Sequence, residues 1–517
     1  MGETRLGARR WAWVLACAAL TCGVGLGWSG RLSYHEAFVA QGAREMLTHG
    51  DPLVPTIEGR PWLEKPPLPI WLAALSGQLA GGVTEAAARG PSALAGMLLV
   101  GGVALLAARR FGATVGLLSG LVQATTFWAV QRARLAEADI VLACLVVGTI
   151  AAFDRLREDG SSRAARWGFW IGLGLTALVK GIGFGAALVA ATVLAVLVWD
   201  RDRTTIRRLI DPIGWVVAAG LALAWPIAVL ARHPEALGLW TLHVADRLSA
   251  RSEHFTGGPW WLYGPALLLL ALPWTPLGVL GAGRSLGRAW GTGGSKGDRL
   301  LWAWAVAPVA LLSLATVKNA HYAIHALPPW SIWAALSLAR IGARLQSAGW
   351  SPDRLRRSAG LVFGGLALAF VAGFVGLNPR LDRRGVEWAF YESAGRALGA
   401  GEPLALLYDD WDRLPYPSPF GPFPHDLAIR LYYLDRPACW RQGVEELAAR
   451  PPSDGLTPFA VIGRARDLPG LRRLGRVETI LQGPRLRARA SRVDDRTFAL
   501  YRIIPSGVEV EVGMIRR

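Results

Sequence analysis

Long apolar runs, separated by short arginine-rich stretches, recur along the chain and stop near residue 377. LLVGGVALLA, GAALVAATVLAVLVW and PALLLLALPWTPLGVL approach the ~20 apolar residues that carry a helix across a bilayer. The pattern predicts spanning helices at roughly 11–29, 90–108, 114–131, 138–154, 166–180, 182–199, 211–231, 260–281, 300–316, 323–340 and 357–377. One further run, LPIWLAALSGQLAGG at 68–82, is short for a span and carries Gln78 and several glycines. The first run follows Arg5, Arg9 and Arg10, and no small-residue cleavage site stands out after it. It therefore reads as the first transmembrane helix and not as a signal peptide.

After 377 the pattern changes to charged clusters, prolines and short strand-like runs, PLALLYD, FAVIGRA and TFALYRII. A helix-like DLPGLRRLGRV lies between the last two. Strands interleaved with a helix predict a small soluble α/β domain over 378–517, behind a membrane domain over 1–377. The fold class expected is mainly α: a polytopic helix bundle of about eleven spans, interfacial helices in the first outer loop, and this C-terminal domain.

Charge fixes sidedness. The formal net charge is +18 and the cations are nearly all arginine. In a soluble protein that excess points to nucleic acid, but here 52% of residues are hydrophobic and cytoplasmic loops collect Arg and Lys, so no nucleic-acid partner is expected. If the N-terminus is cytoplasmic and 68–82 stays on one face, five loops fall inside: ARRFG, DRLREDGSSRAARW, DRDRTTIRR, GRSLGRAWGTGGSKGDR and ARIGARLQSAGWSPDRLRR. If 68–82 crosses, all five fall outside and break the positive-inside rule. Segments 30–67, 132–137, 232–259, 317–322 and the tail are thus expected together on the extracytoplasmic side of the inner membrane.

The candidate chemistry sits in those outer segments or at the span ends beside them. Residues 35–48 read as a helix on the spacing of Glu36, Ala40, Ala43 and Leu47. Glu36 is either an acid favouring the helix dipole or a reacting group at the membrane surface. Asp139, beside Glu137, opens an apolar run, where an ionisable group needs a wet cavity or a partner. It either balances Arg132 and Arg134 or serves a site. Lys65 in EKPP, Lys180 in LVKG, Arg247 and Lys318 place fixed positive charge on the same face, as a lipid phosphate requires, although lysines also snorkel at helix ends. The prolines after Lys65 would fix its backbone at the lipid–water boundary and Glu64 would orient it. His243, His254 and His321 read individually as structural. Cys17, Cys22, Cys144 and Cys439 show no zinc spacing or disulfide framework. No cofactor is implied, and a divalent metal is left open.

An acid after the first run, then REM, GDPLVP, EKPPLPIW, ARLAEADI, LVKG, GPWW with LPW, and VKNAHYAIHALPP occur in this order over residues 1–380. The series resembles the GT-C membrane glycosyltransferases of the lipid A aminoarabinose transferase and protein O-mannosyltransferase superfamily. The resemblance implies transfer of a sugar from a polyprenyl-phosphate donor in the bilayer to a lipid, glycan or protein acceptor, with inversion. It implies roles for Glu36 and Asp139 in activating or positioning the acceptor and for Lys65, with Glu64 beside it, at the donor phosphate; Lys180, Arg247 and Lys318 suit the same phosphate by their charge. Tyr34, Glu64, His321 and Tyr322 would support them. The family carries Asp-Glu after the first span, where this chain has His35-Glu36. His35 is therefore a third candidate base, since imidazole ordinarily titrates near pH ~6.5. The carboxylates are preferred, because a partly wet carboxylate stays ionised over a wider pH range. The rivals are a transporter or flippase of a lipid-linked sugar, which predicts inverted repeats and broken helices that the sequence does not display, and a non-catalytic envelope scaffold. The motif YDDWDRLPYPSPFGPFPHDLAIRLYYLDRP in the tail carries no role.

Overall fold

The computed structural model describes residues 6–249, 258–291, 294–382, 385–407, 418–420, 423–424, 426–453, 457–483 and 498–505, without the side chains of 246–249. Helix α1 (Ala8–Ala18) runs on through a π-turn and ends where Gly25 takes φ 71°, a backbone conformation disfavoured for other residues. Helix α2 (Tyr34–His49) is followed by the two-residue strands β1 (Thr56–Ile57) and β2 (Arg60–Pro61) and by α3 (Leu68–Ala80). Then come α4 (Glu85–Phe111), α5 (Ala113–Ala124), α6 (Phe127–Ala133), α7 (Ala138–Glu158), α8 (Arg163–Leu175), α9 (Ala177–Lys180) and α10 (Phe184–Asp200). The bundle is completed by α11 (Arg203–Leu209), α12 (Pro212–Leu230), α13 (Ala236–Ser249), α14 (Tyr263–Leu270), α15 (Thr275–Trp290), α16 (Lys296–Leu314), α17 (Leu327–Ser347) and α18 (Pro352–Val371).

This is a multi-pass membrane protein. Among the described residues five helical stretches, Ala8–Trp28, Glu85–Phe111, Pro212–Leu230, Lys296–Leu314 and Pro352–Leu381, are long and apolar enough to cross a membrane, and counting each of two bent pairs as one span gives up to seven. A helix also forms at each other predicted span, but these are shorter, as α8 and α10, or charged at their ends, as α7 and α17. Helix α3 has 13 residues, and both its ends are tied to segments outside the predicted spans. Near its start the Trp71 indole donates to Pro52 O; past its end the Val83 carbonyl accepts from Tyr432.

Two predicted spans are broken, which corrects the reading of 260–281 as one straight helix and the statement that broken helices are absent. Helices α14 and α15 meet at 118°, and α5 and α6 at 63°. Pro273 and Pro276 lack the N–H that a continuous helix needs. Thr125 and Thr126 bond back to Leu121 O and Val122 O, competing with the backbone ladder. The breaks satisfy each other: Phe127 N–H donates to Leu272 O at 2.9 Å and the Trp274 indole to Thr125 Oγ1 at 3.0 Å. Hydrophobic periodicity does not register such backbone exchange, which is what makes a break tolerable at membrane depth.

The arginine-rich loops gather at one end. Arg110 binds Asp154 at 2.5 Å, Arg157 and Arg299 share Asp200, and Arg288 binds Asp298 at 2.6 Å. At the other end α19 (Asn378–Leu381), α20 (Gly385–Ala397) and α21 (Leu427–Leu434) lie against the segment from Ser29 to Ile70. Helices α20 and α21 share its apolar core, in which Leu32, Phe38 and Ile70 join Trp388, Tyr391 and Leu431. A five-stranded sheet is ordered β4 (Cys439–Arg441), β3 (Leu404–Leu407), β5 (Phe459–Arg464), β7 (Phe498–Pro505), β6 (Gly475–Gln482). Its first three strands are parallel and the rest antiparallel. DLPGLRRLGRV, read as a helix, keeps only four helical residues, Leu468–Leu471. From Gly475 the chain pairs with β7, and the ladder outweighs the weak helical pattern around Pro469 and Gly470.

Candidate active site

Asp139 lies in the first turn of α7 and is 4% exposed. Lys180, at the C-terminal end of α9, donates to its Oδ1. Gly181, at φ 100°, turns the chain away directly after the lysine. Arg132 on α6 lies 3.6 Å from Asp139 Oδ2 and 2.5 Å from Glu137 Oε2. His321, on a 3-10 turn (Ala320–Ala326), brings Nε2 within 3.8 Å of Asp139. The Lys180 ammonium sits 4.3 Å from the centroid of Tyr322 and 5.4 Å from that of Phe184, within cation–π range. Burial pushes His321 down to about 4; Asp139 opposes that shift, while Lys180, Arg132 and Lys65 add to it. His321 is thus a neutral imidazole at neutral pH. Burial raises Glu137, and Arg132 pulls it back. Lys65, half-buried on the bend after β2, belongs to the same electrostatic neighbourhood, since its charge reaches both Glu137 and His321. Lys65, Lys180 and Arg132 thus gather around Asp139 and Glu137, and fixed cations of this kind suit a phosphate.

Glu36 is 1% exposed. It closes a capping box with Ser33, its Oε2 accepting from Ser33 N–H at 2.8 Å. Its Oε1 accepts from Arg89 Nε at 2.7 Å and from Ala136 N–H at 3.1 Å. Both candidate carboxylates are therefore buried and paired, and neither is the partly wet group favoured on sequence. His35, one residue earlier, is exposed, its ring 4.2 Å from that of Tyr34. Glu64 is half-buried beside Lys65.

Lys318 donates to Ala315 O at 2.5 Å and Gly258 O at 3.2 Å, so it ties the end of α16 to the segment before α14 instead of joining Asp139. Arg247 lies on α13 with its side chain outside the described residues, and His254 lies outside them altogether. Among the described residues no three His, Cys, Asp or Glu gather as a metal would require. Sequence reasoning missed Arg89, 1% exposed, which also donates to Leu26 O and Gly30 O. The one available signal was an arginine inside an otherwise small and apolar run, AAARGP.

The family described as dolichyl-phosphate-mannose-protein mannosyltransferase matches residues 64–231. The undecaprenyl phosphate-alpha-4-amino-4-deoxy-L-arabinose arabinosyl transferase of Edwardsiella ictaluri is 31% identical over 314 residues, 59% of this chain and 55% of its own length. Its counterpart in Pseudomonas aeruginosa is 30% identical over 385 residues, 72% of this chain and 67% of that protein. The chain spans about half the length of several curated relatives it matches. The crystal structure of ArnT from Cupriavidus metallidurans bound to undecaprenyl phosphate superposes with a TM-score of 0.75 at 18% identity, over 97% of this chain and 99% of that one. The apo oligosaccharyltransferase of Archaeoglobus fulgidus shares the fold at a TM-score of 0.53 and 13% identity, over 88% of this chain and 69% of that one. The chain belongs to the GT-C membrane glycosyltransferase superfamily of the lipid A aminoarabinose transferases and protein O-mannosyltransferases.

Proposed function

We propose that the protein transfers a sugar from a polyprenyl-phosphate donor to a lipid, glycan or protein acceptor at the extracytoplasmic face of the inner membrane, with inversion. The observation that carries this reading is the set of cations, Lys65, Lys180 and Arg132, gathered around Asp139 and Glu137. In the reaction the bond from the anomeric carbon to the phosphate oxygen breaks and the acceptor oxygen bonds to that carbon. Polyprenyl phosphate leaves, and the acceptor proton passes to a base. Lys65 and Lys180 stabilise the leaving phosphate. Asp139 holds Lys180 in place. His35 takes the proton, because it is exposed where Glu36 and Asp139 are sealed; Glu36 positions the turn that carries it. Arg247 is retained as a further donor-phosphate ligand, and Tyr34, Glu64, His321 and Tyr322 as supporting groups. About eleven crossings, with 68–82 on the outer face and 378–517 as an extracytoplasmic α/β domain, complete the reading.

The two broken helices favour a flippase as the second reading, since transporters build sites at such breaks. Here the broken ends bond to each other. Purified protein in vesicles, given a polyprenyl-phosphate donor labelled in the sugar together with envelope lipids, separates the two. Label covalently attached to an acceptor is the expected result; donor moved between leaflets with no transfer would overturn it.

A further inference from the structure

Tyr433, in the described end of the tail motif that carried no role on sequence, lies against the turn that launches α2. Four residues beyond 377 reach residues 29–32. Asn378 Nδ2 donates to Ser29 O at 2.6 Å, and Arg31 N–H to Asp382 Oδ2 at 3.3 Å. Glu392 takes the Arg31 guanidinium in a two-point contact at 2.5 and 3.1 Å. Tyr433, in the LYYL of α21, accepts from Leu32 N–H at 2.8 Å and donates to Glu85 Oε1 at 2.6 Å. Its ring is 4% exposed, stacks on Trp388 with centroids 5.8 Å apart, and lies 5.0 Å under Arg31.

Leu32 directly precedes Ser33, the capping residue of α2, and His35 follows two residues on. Arg89 grips the same turn from α4 through Leu26 O, Gly30 O and Glu36, and Glu85 begins that helix one turn before Arg89. The turn is thus held between a membrane helix and the tail, and the Tyr433 hydroxyl is the atom common to both. A cavity of about 1230 Å³ opens beside it, walled by Arg31, Glu85, Glu392, Tyr432 and Tyr433.

We infer that Tyr433 is a positioning residue for the transfer reaction: through Leu32 and Glu85 it sets where the first turn of α2, and so His35, stands against the donor. The tail is then a working part of the active site. The inference rests on the proposed base role of His35. A wrongly placed base costs turnover and leaves donor affinity intact, because the donor's cations lie on other elements.

The test uses the full chain in lipid nanodiscs with a polyprenyl-phosphate sugar donor, and compares Tyr433→Phe, His35→Ala and the double variant. Tyr433→Phe should lower kcat about tenfold or more with the donor KM within about twofold. In the His35→Ala background the same change should cost almost nothing further, because both act on one step. Losses that multiply in the double variant, or Tyr433→Phe within about twofold of wild type, overturn the inference. If His35→Ala alone is near wild type, the base assignment fails separately. A Tyr433→Phe loss in kcat at unchanged donor KM then still supports positioning of the α2 turn, and the absence of that loss ends it.

Discussion

At the scale of single residues, burial redistributes roles among side chains that look equivalent on paper. His35, Glu36 and Asp139 are all acceptor-side candidates by type, yet only His35 is exposed. His35→Ala should therefore lose most activity, and in wild type the rate should fall as acid protonates the imidazole, since only the neutral ring accepts a proton. Initial rates between pH 5 and 8, roughly the range over which an imidazole titrates, check both. Glu36→Gln should act first on folding. It leaves Arg89 buried beside an uncharged partner, a change of the kind that costs about 3–5 kcal/mol, read as a lowered Tm. Lys65→Ala should lose most transfer activity while the protein still inserts; a rate within about twofold of wild type would remove it from the phosphate site. His321 carries a pH signature of its own. Its folded value is near 4 and its ordinary value 6.5, so between these the unfolded chain binds a proton that the folded chain refuses. Its contribution to stability is complete above pH 6.5 and is lost as the pH falls toward 4. Thermal unfolding at pH 7.5 and 5 should show a smaller acid loss in His321→Gln than in wild type, roughly in proportion to the proton no longer taken up.

At the scale of elements, the site exists because helices stop where they do. Helix α9 ends at Lys180 with a glycine at positive φ, α7 starts at the residue before Asp139, and a 3-10 turn delivers His321 between α16 and α17. The two broken spans are a single unit, since each supplies what the other's interruption exposes. Trp274→Phe keeps the ring packed on Phe363 but leaves Thr125 without its indole donor. Thr125 still donates to Leu121 O, so stability should fall by about 0.5–1.5 kcal/mol, the net worth of one lost hydrogen bond, measurable by thermal unfolding in detergent.

At the scale of the whole molecule, charge sorts the two ends. One carries the paired arginines of the loops after α4, α7, α10 and α15; the other carries α2, α3 and the tail. The orientation proposed here places the tail outside the cytoplasm. A cysteine at Gln442, exposed after β4, in a Cys439→Ser background should label in intact cells with a reagent that does not cross membranes; one at Ser347, at the end of α17, should label only after the inner face is opened. The reverse pattern would invert the topology and remove the proposed site from the outer face.

The sequence by itself determined the membrane class, the places of the helices and the family. Those rest on hydropathy, on arginine spacing and on an ordered set of short motifs, all of which are local. It also placed Asp139, Lys180, His321 and Lys65 in segments expected on one face. Only the tertiary structure decided which of them meet. Glu36 and Asp139 look alike in a string of letters, but Arg89, 53 positions from Glu36, closes one, and Lys180, 41 positions from Asp139, closes the other. The breaks at Thr125 and Leu272 are stable only because distant backbone atoms exchange hydrogen bonds, which no periodicity encodes. Tyr433 stood in a stretch without assignable meaning because its partner, Leu32, lies 401 residues away. Burial and pairing across such separations arise from packing, and packing is what turns a list of candidate residues into a site.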